Sequence, residues 1–192
     1  MVRSLAWGVM IFFGFQSAMF YFFLTWLAAI HTYHGFSAVT AGLGVGIYQA
    51  TGIAAMLLIS RILQKARDHR LVVGVTGAGM AVGSLGMVLL PELMLLWAVV
   101  SGFFSASSLL LALTMISLRA EGPQQAGELS GMAQGVGYII GGTAPLAAGY
   151  LFQVSGTWTV PLVLSLGVIA VYTAMGMWTG RDVGLFGEGV SR

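Results

Sequence analysis

Two glutamines carry the strongest chemical signal in this sequence, because each sits in a long run that holds no charge. Gln134 lies within residues 129–151, LSGMAQGVGYIIGGTAPLAAGYL, and Gln49 within GLGVGIYQATGI. Taken as a helix, the first run puts Ser130, Gln134, Gly137 and Gly141 on one face, with Met132, Ile139, Ile140 and Leu146 pointing elsewhere. A side-chain amide offers two donors and an acceptor oxygen, and leaving them unpaired in hydrocarbon is costly. Gln134 therefore needs a partner: another helix, a water-filled cavity or a ligand. In the second run Gly42, Gly46, Gln49 and either Gly52 or Ile53 share a face, and a shift of 85 positions lays Gln49-x-x-Gly52 over Gln134-x-x-Gly137. With Gln16, Tyr21 and Tyr138, these two glutamines form a candidate solute-binding set of neutral hydrogen-bonding groups. The competing role for each is to bond one membrane helix to another.

Other chemistries fare worse. An intramembrane serine hydrolase needs a base beside its nucleophile; Ser130 is available, but His31, His34 and His69 all fall between the apolar runs. His31 and His34 could begin a metal site, yet no further ligand stands nearby, and they read as solvated loop residues. There is no cysteine, which removes disulfides and thiolate metal sites, and no cofactor motif appears. Ser101, Ser105 and Ser108 share a helix face that either packs or lines a pore. Gly79, Gly83 and Gly86 read as a helix-packing stripe, and Trp26 as a headgroup anchor.

The elements that must position these groups are membrane helices. Of 192 residues 58% are hydrophobic and 7% charged, against about 45–50% and about 25% in soluble domains. The charges cluster between six apolar runs, at about 5–30, 38–60, 71–90, 93–118, 129–152 and 158–179, each near the ~20 residues that cross a bilayer. Counting spans, all eight Lys and Arg residues fall on one side, so the positive-inside rule predicts that both termini are cytoplasmic. The first apolar run far exceeds the usual 7 to 15 residues of a cleaved signal peptide. The organisation expected is a six-helix bundle over 1–182 and a cytoplasmic tail over 183–192. The slight positive charge is no sign of a nucleic-acid partner. The basic segment RILQKARDHR reads as a topology determinant that also meets anionic lipid.

The run 141–162, GGTAPLAAGYLFQVSGTWTVPL, resembles the junction of the last two helices in the major facilitator superfamily. With GFQSAMFYFFLTWLAAI from Gly14, GIYQATGI and LSGMAQGVGY, the sequence looks more narrowly like the branch of cyanate permeases and nitroimidazole exporters. The resemblance implies an all-α membrane protein similar to the C-terminal six-helix half of such a transporter, with a 3+3 inverted repeat, in a bacterial inner membrane. It implies transport of a small anion or small polar organic solute by alternating access, with an N-terminal six-helix half as partner. The family's cytoplasmic Gly-x-x-x-Asp-Arg loop is replaced here by Ser60-x-x-x-Gln64-Lys65, which keeps the basic character and loses the carboxylate. A non-transporting assembly subunit is the alternative.

Overall fold

A computed structural model describes residues 2–65, 68–118 and 122–180. Six long helices form: α1 Val2–Tyr33, α2 Ala38–Leu63, α3 Arg70–Leu89, α4 Met94–Leu118, α5 Pro123–Ser155 and α6 Thr159–Thr179. Each is long and apolar enough to cross a membrane. Glycine sets two of the helix ends. Gly35 takes φ of 88° after α1, and Gly156 takes φ of 70° and closes α5 by donating to the Phe152 carbonyl at 2.8 Å. Ser37 caps α2 by accepting from the Thr40 amide at 3.2 Å. Pro91 opens a three-residue 3-10 turn before α4, and Trp97 braces it by donating to the Leu90 carbonyl at 2.9 Å. The tail expected at 183–192 lies outside the described residues.

α1 is the centre of the bundle and touches α2, α4, α5 and α6. Its inward residues Phe12, Phe13, Phe23, Leu27 and Ile30 are fully enclosed. The packing repeats after three helices: α1 lies on α5 and α6 as α4 lies on α2 and α3, and α3 meets α6 across the middle. Because lipid tails are as apolar as leucine, such contacts depend on close approach, and small residues supply it. A β-carbon on Gly102 of α4 would overlap the Tyr48 main-chain oxygen of α2. Gly79, Gly83 and Gly86 of α3 lie under Phe104, Ser101 and Trp97 of α4, as their spacing predicts.

Exposure is uneven, and that unevenness defines the open side of the bundle. The most apolar stretch of α1 is 67% buried, whereas that of α2 is 22% and that of α5 17%. Those two helices hold the repeated Gln-x-x-Gly, and each has one close neighbour inside this chain.

Three readings change. α1 continues to Tyr33, which draws His31 into its last turn, where the side chain is fully buried and not solvated. His69 is buried as well, its amide bonded to the Gly180 carbonyl at 3.2 Å. Trp26 turns into the bundle: its indole donates to the Pro145 carbonyl at 2.8 Å and lies over Gly149. That bond ties α1 to α5 at the proline that interrupts the hydrogen bonding of α5.

Candidate functional site

The small-residue stripe of α5 faces α1. Phe13 sits over Gly137, Ser17 and Tyr21 over Gly141, and Trp26 over Gly149. Ile140, assigned by its spacing to the far side, also packs inward against Gly14. Gln134 is half-buried at the edge of this contact, and its amide donates to Ser130 one turn earlier at 2.6 Å. The partner that its burial demands thus comes from its own helix.

Gln49 behaves differently although it occupies the matching place in the repeat. Val45 stands four residues before it, so no hydroxyl waits there, and Gln49 is exposed on α2 beside Gly42, Gly46 and Ile53. Gly52, the counterpart of Gly137, is buried against Ala106 of α4, as Gly137 is buried against α1. The repeat therefore holds at the glycines and diverges at the glutamines.

Gln16 is 1% exposed, and its amide donates to the Ser105 main-chain oxygen of α4 at 3.2 Å. Its own carbonyl oxygen is buried without a partner. The Tyr48 hydroxyl donates to the Ser105 hydroxyl at 2.9 Å, so α1, α2 and α4 meet at one serine. The serine face of α4 is accordingly a packing face. Tyr48 is a contributor that the sequence reading missed. The signal was present, since Gly44, Tyr48 and Gly52 recur every four residues and mark the buried side of α2.

Of the five candidates, Tyr21 and Tyr138 are brought together. Tyr138 is 47% exposed and meets Phe13 edge-on at 5.5 Å and Tyr21 at 6.3 Å. Tyr21 meets Phe20 at 5.5 Å, and Phe20 meets Tyr48 at 6.3 Å. A ridge of rings thus runs from α5 across α1 to α2, between the two least-covered helices. Ring edges and faces of this kind attract one another and any flat polarisable solute laid against them. Gln134 stands one helical turn from Tyr138, Gln49 stands apart on α2, and Gln16 lies behind the ridge, bonded to α4. A second crevice, of about 120 Å³ among α1, α5 and α6, is lined by Ala18, Phe22, Ala148 and Val168. Its one hydroxyl, on Ser165, is bonded to Leu162 and Ser84, which leaves nothing there to orient a polar solute.

The family model of the Major Facilitator Superfamily matches residues 6–183. The chain belongs to that superfamily. It is 35% identical over 185 residues to the uncharacterized transporter YycB of Bacillus subtilis (strain 168), covering 95% of this chain and 46% of that protein. It is 36% identical over 179 residues to the 2-nitroimidazole transporter of Escherichia coli (strain K12), covering 93% of this chain and 45% of that protein. The cyanate transport protein CynX of the same organism is 30% identical over 154 residues, 80% of this chain and 40% of its own length. The chain spans less than half the length of these relatives. Members of this superfamily are transporters, and the six apolar helices make the chain an integral membrane protein.

Proposed function

We propose that this chain acts as the C-terminal half of a solute transporter that works by alternating access. A second six-helix bundle, covalently continuous or separate, covers the open faces of α2 and α5. The solute lies between the halves against Tyr21 and Tyr138, which the buried Phe13 backs, with Gln134 one helical turn from Tyr138 and Gln49 on the open face of α2. Gln16 sits behind this surface and shapes it. The observation that carries this reading is the pairing of exposure with chemistry: the two least-buried helices flank a run of contacting rings, Tyr138, Tyr21 and Phe20, whose outer member Tyr138 is exposed.

The ridge favours a small planar polar solute. The name of the 2-nitroimidazole transporter supports that class, and the name of CynX supports a small planar or linear anion. For an anion the neutralising charge would come from the opposing half, because this ridge is built of neutral side chains. The one-sided distribution of Lys and Arg favours cytoplasmic termini, and the bacterial origin of the relatives favours an inner membrane.

The chain has no cysteine, so single cysteines report without interference. In the assembled transporter, Tyr138→Cys should react with a water-soluble maleimide, and 2-nitroimidazole or cyanate should slow the reaction. Val82→Cys on the exposed side of α3 should stay unlabelled in the bilayer. Failure of Tyr138→Cys to label, or equal labelling of both, would remove the ridge from the solute path.

A further inference from the structure

His31 is the one histidine enclosed within a membrane-length helix among the described residues, and neither the ridge nor the proposed transport site uses it. Its side chain is 0% exposed. Nδ1 lies 2.6 Å from the Leu27 carbonyl. A carbonyl oxygen only accepts, so Nδ1 carries the proton in the neutral ring and Nε2 is left with a lone pair. That nitrogen is buried and has no hydrogen-bond partner. The ring abuts α2 at Gly44, where a β-carbon would come within 2.8 Å of Cε1 and Nε2. Phe36 closes a further side, edge-on at 5.8 Å, and the Met94 main chain at the start of α4 lies near the ring as a polar group that can bond to its charged form. The ends of α1, α2 and α4 therefore converge on one titratable ring.

We propose that His31 is a proton-binding site whose protonation opens this end of the bundle. A neutral ring fits the dry junction, with one bond to Leu27 and van der Waals contact to Gly44. A proton on Nε2 puts a cation where no carboxylate among the described residues touches it, and a buried ion without a counter-charge is strongly disfavoured. Water relieves that cost once α2 moves off the ring, so protons bind the open junction more tightly and acid shifts the population toward it.

The charged and titratable groups around the junction are few. His34 follows one turn later, partial burial lowers its pKa from the ordinary histidine value, and its nearness disfavours a second charge. Glu92, in the turn before α4, lines a crevice with His34, Gly35, Phe36 and Pro91 beside the junction. From α2 the facing residue is Gly44, which carries no charge. The last turn of α1 adds its carbonyl ends, which draw a cation toward the mouth of the junction.

Hydrogen exchange on the whole chain in lipid nanodiscs tests this without a transport assay, so its outcome is independent of the solute proposed above. Exchange is compared at about pH 5.5 and about pH 7.5, either side of the ordinary histidine value of about 6.5, after correction for intrinsic rates. Acid should speed exchange in 28–44 and 91–98 by about tenfold for each unit separating the open and closed pKa values. His31→Gln and His31→Asn should abolish the pH dependence, and His34→Gln should keep it. The ring carbon signal of His31 should titrate with the same midpoint as the opening. An absent pH effect in the parent chain, an effect that survives both His31 variants, or two distinct midpoints would each overturn the proposal.

Discussion

Adding one methyl group at three glycines separates packing inside this chain from docking of the proposed second half. Gly102 of α4 faces the backbone of α2: a β-carbon there would overlap the Tyr48 oxygen and stand 2.8 Å from the Tyr48 α-carbon. Those obstructing atoms are main chain and cannot swing aside, so the helices must part. Forcing an extra carbon into a tight contact costs about 1–3 kcal/mol. Exchanging glycine for alanine in a helix returns about 1 kcal/mol. Gly102→Ala should therefore destabilise the chain by up to about 2 kcal/mol, toward the upper end because the obstruction is backbone. At Gly52 the nearest atoms are the Ala106 β-carbon at 3.1 Å and the Gly102 oxygen at 3.4 Å. A shift of a few tenths of an ångström suffices, the two terms nearly cancel, and Gly52→Ala should be close to neutral. Gly46 has nothing within 4 Å. Gly46→Ala should stabilise the isolated chain by about 0.5–1 kcal/mol and yet weaken its association with the other half, whose helix would approach there. Thermal unfolding in detergent reads the first quantity, and co-purification with the separately expressed half reads the second. If Gly46→Ala strengthens both, the open face of α2 meets lipid and the docking argument fails.

Two further outcomes follow from the same geometry. Tyr48→Phe and Ser105→Ala, combined in a double-mutant cycle on thermal stability, should give a coupling of about 0.6 kcal/mol, the average for hydrogen bonds between membrane helices, and at most about 1.7; additive losses would show that the 2.9 Å bond contributes nothing. In the connection between α2 and α3 Asp68 accepts three bonds from the Arg70 guanidinium, the closest at 2.7 Å, and one from its amide at 2.9 Å, which hold its carboxyl below the usual carboxylate range. Its contribution is present above the unfolded aspartate value and disappears as pH falls through the lower folded value. Protection of the Arg70 amide should therefore drop in that acid window, and in Asp68→Asn the drop should vanish while neutral-pH melting stays unchanged, as for most exposed ion pairs; an acid drop of equal size in the variant would refute the assignment.

The helices were legible from sequence because charge is confined to their connections. Helix ends were not, and His31 shows why: an apolar run ends where polar residues begin, but α1 continues through His31 to Tyr33 until Gly35 can take positive φ. The faces of α2 and α5 were half legible. Gly42, Gly46 and Gln49 do share an open face, while Gln134 bends back onto Ser130 because a hydroxyl stands four residues earlier. Periodicity records that residues share a face, and it does not record which neighbour that face meets.

The same limit explains why the candidate site consists of rings more than of amides. In water a polar stripe marks the exposed side of a helix. In a bilayer, helices gain little from burying apolar area against each other and associate through small residues and interhelical hydrogen bonds. Polar and small residues are thus drawn inward: Gln16 and Tyr48 to Ser105, and Gly137, Gly141 and Gly149 to α1. The surface left for a solute is what that packing displaces outward. In the site proposed here it is the row of Tyr138, Tyr21 and Phe20, backed from inside by the buried Phe13 and bordering the glycine-lined contact of α5 with α1. A polar stripe on a membrane helix therefore locates the helix contact first, and the solute face is found beside it, where large aromatic residues border the stripe.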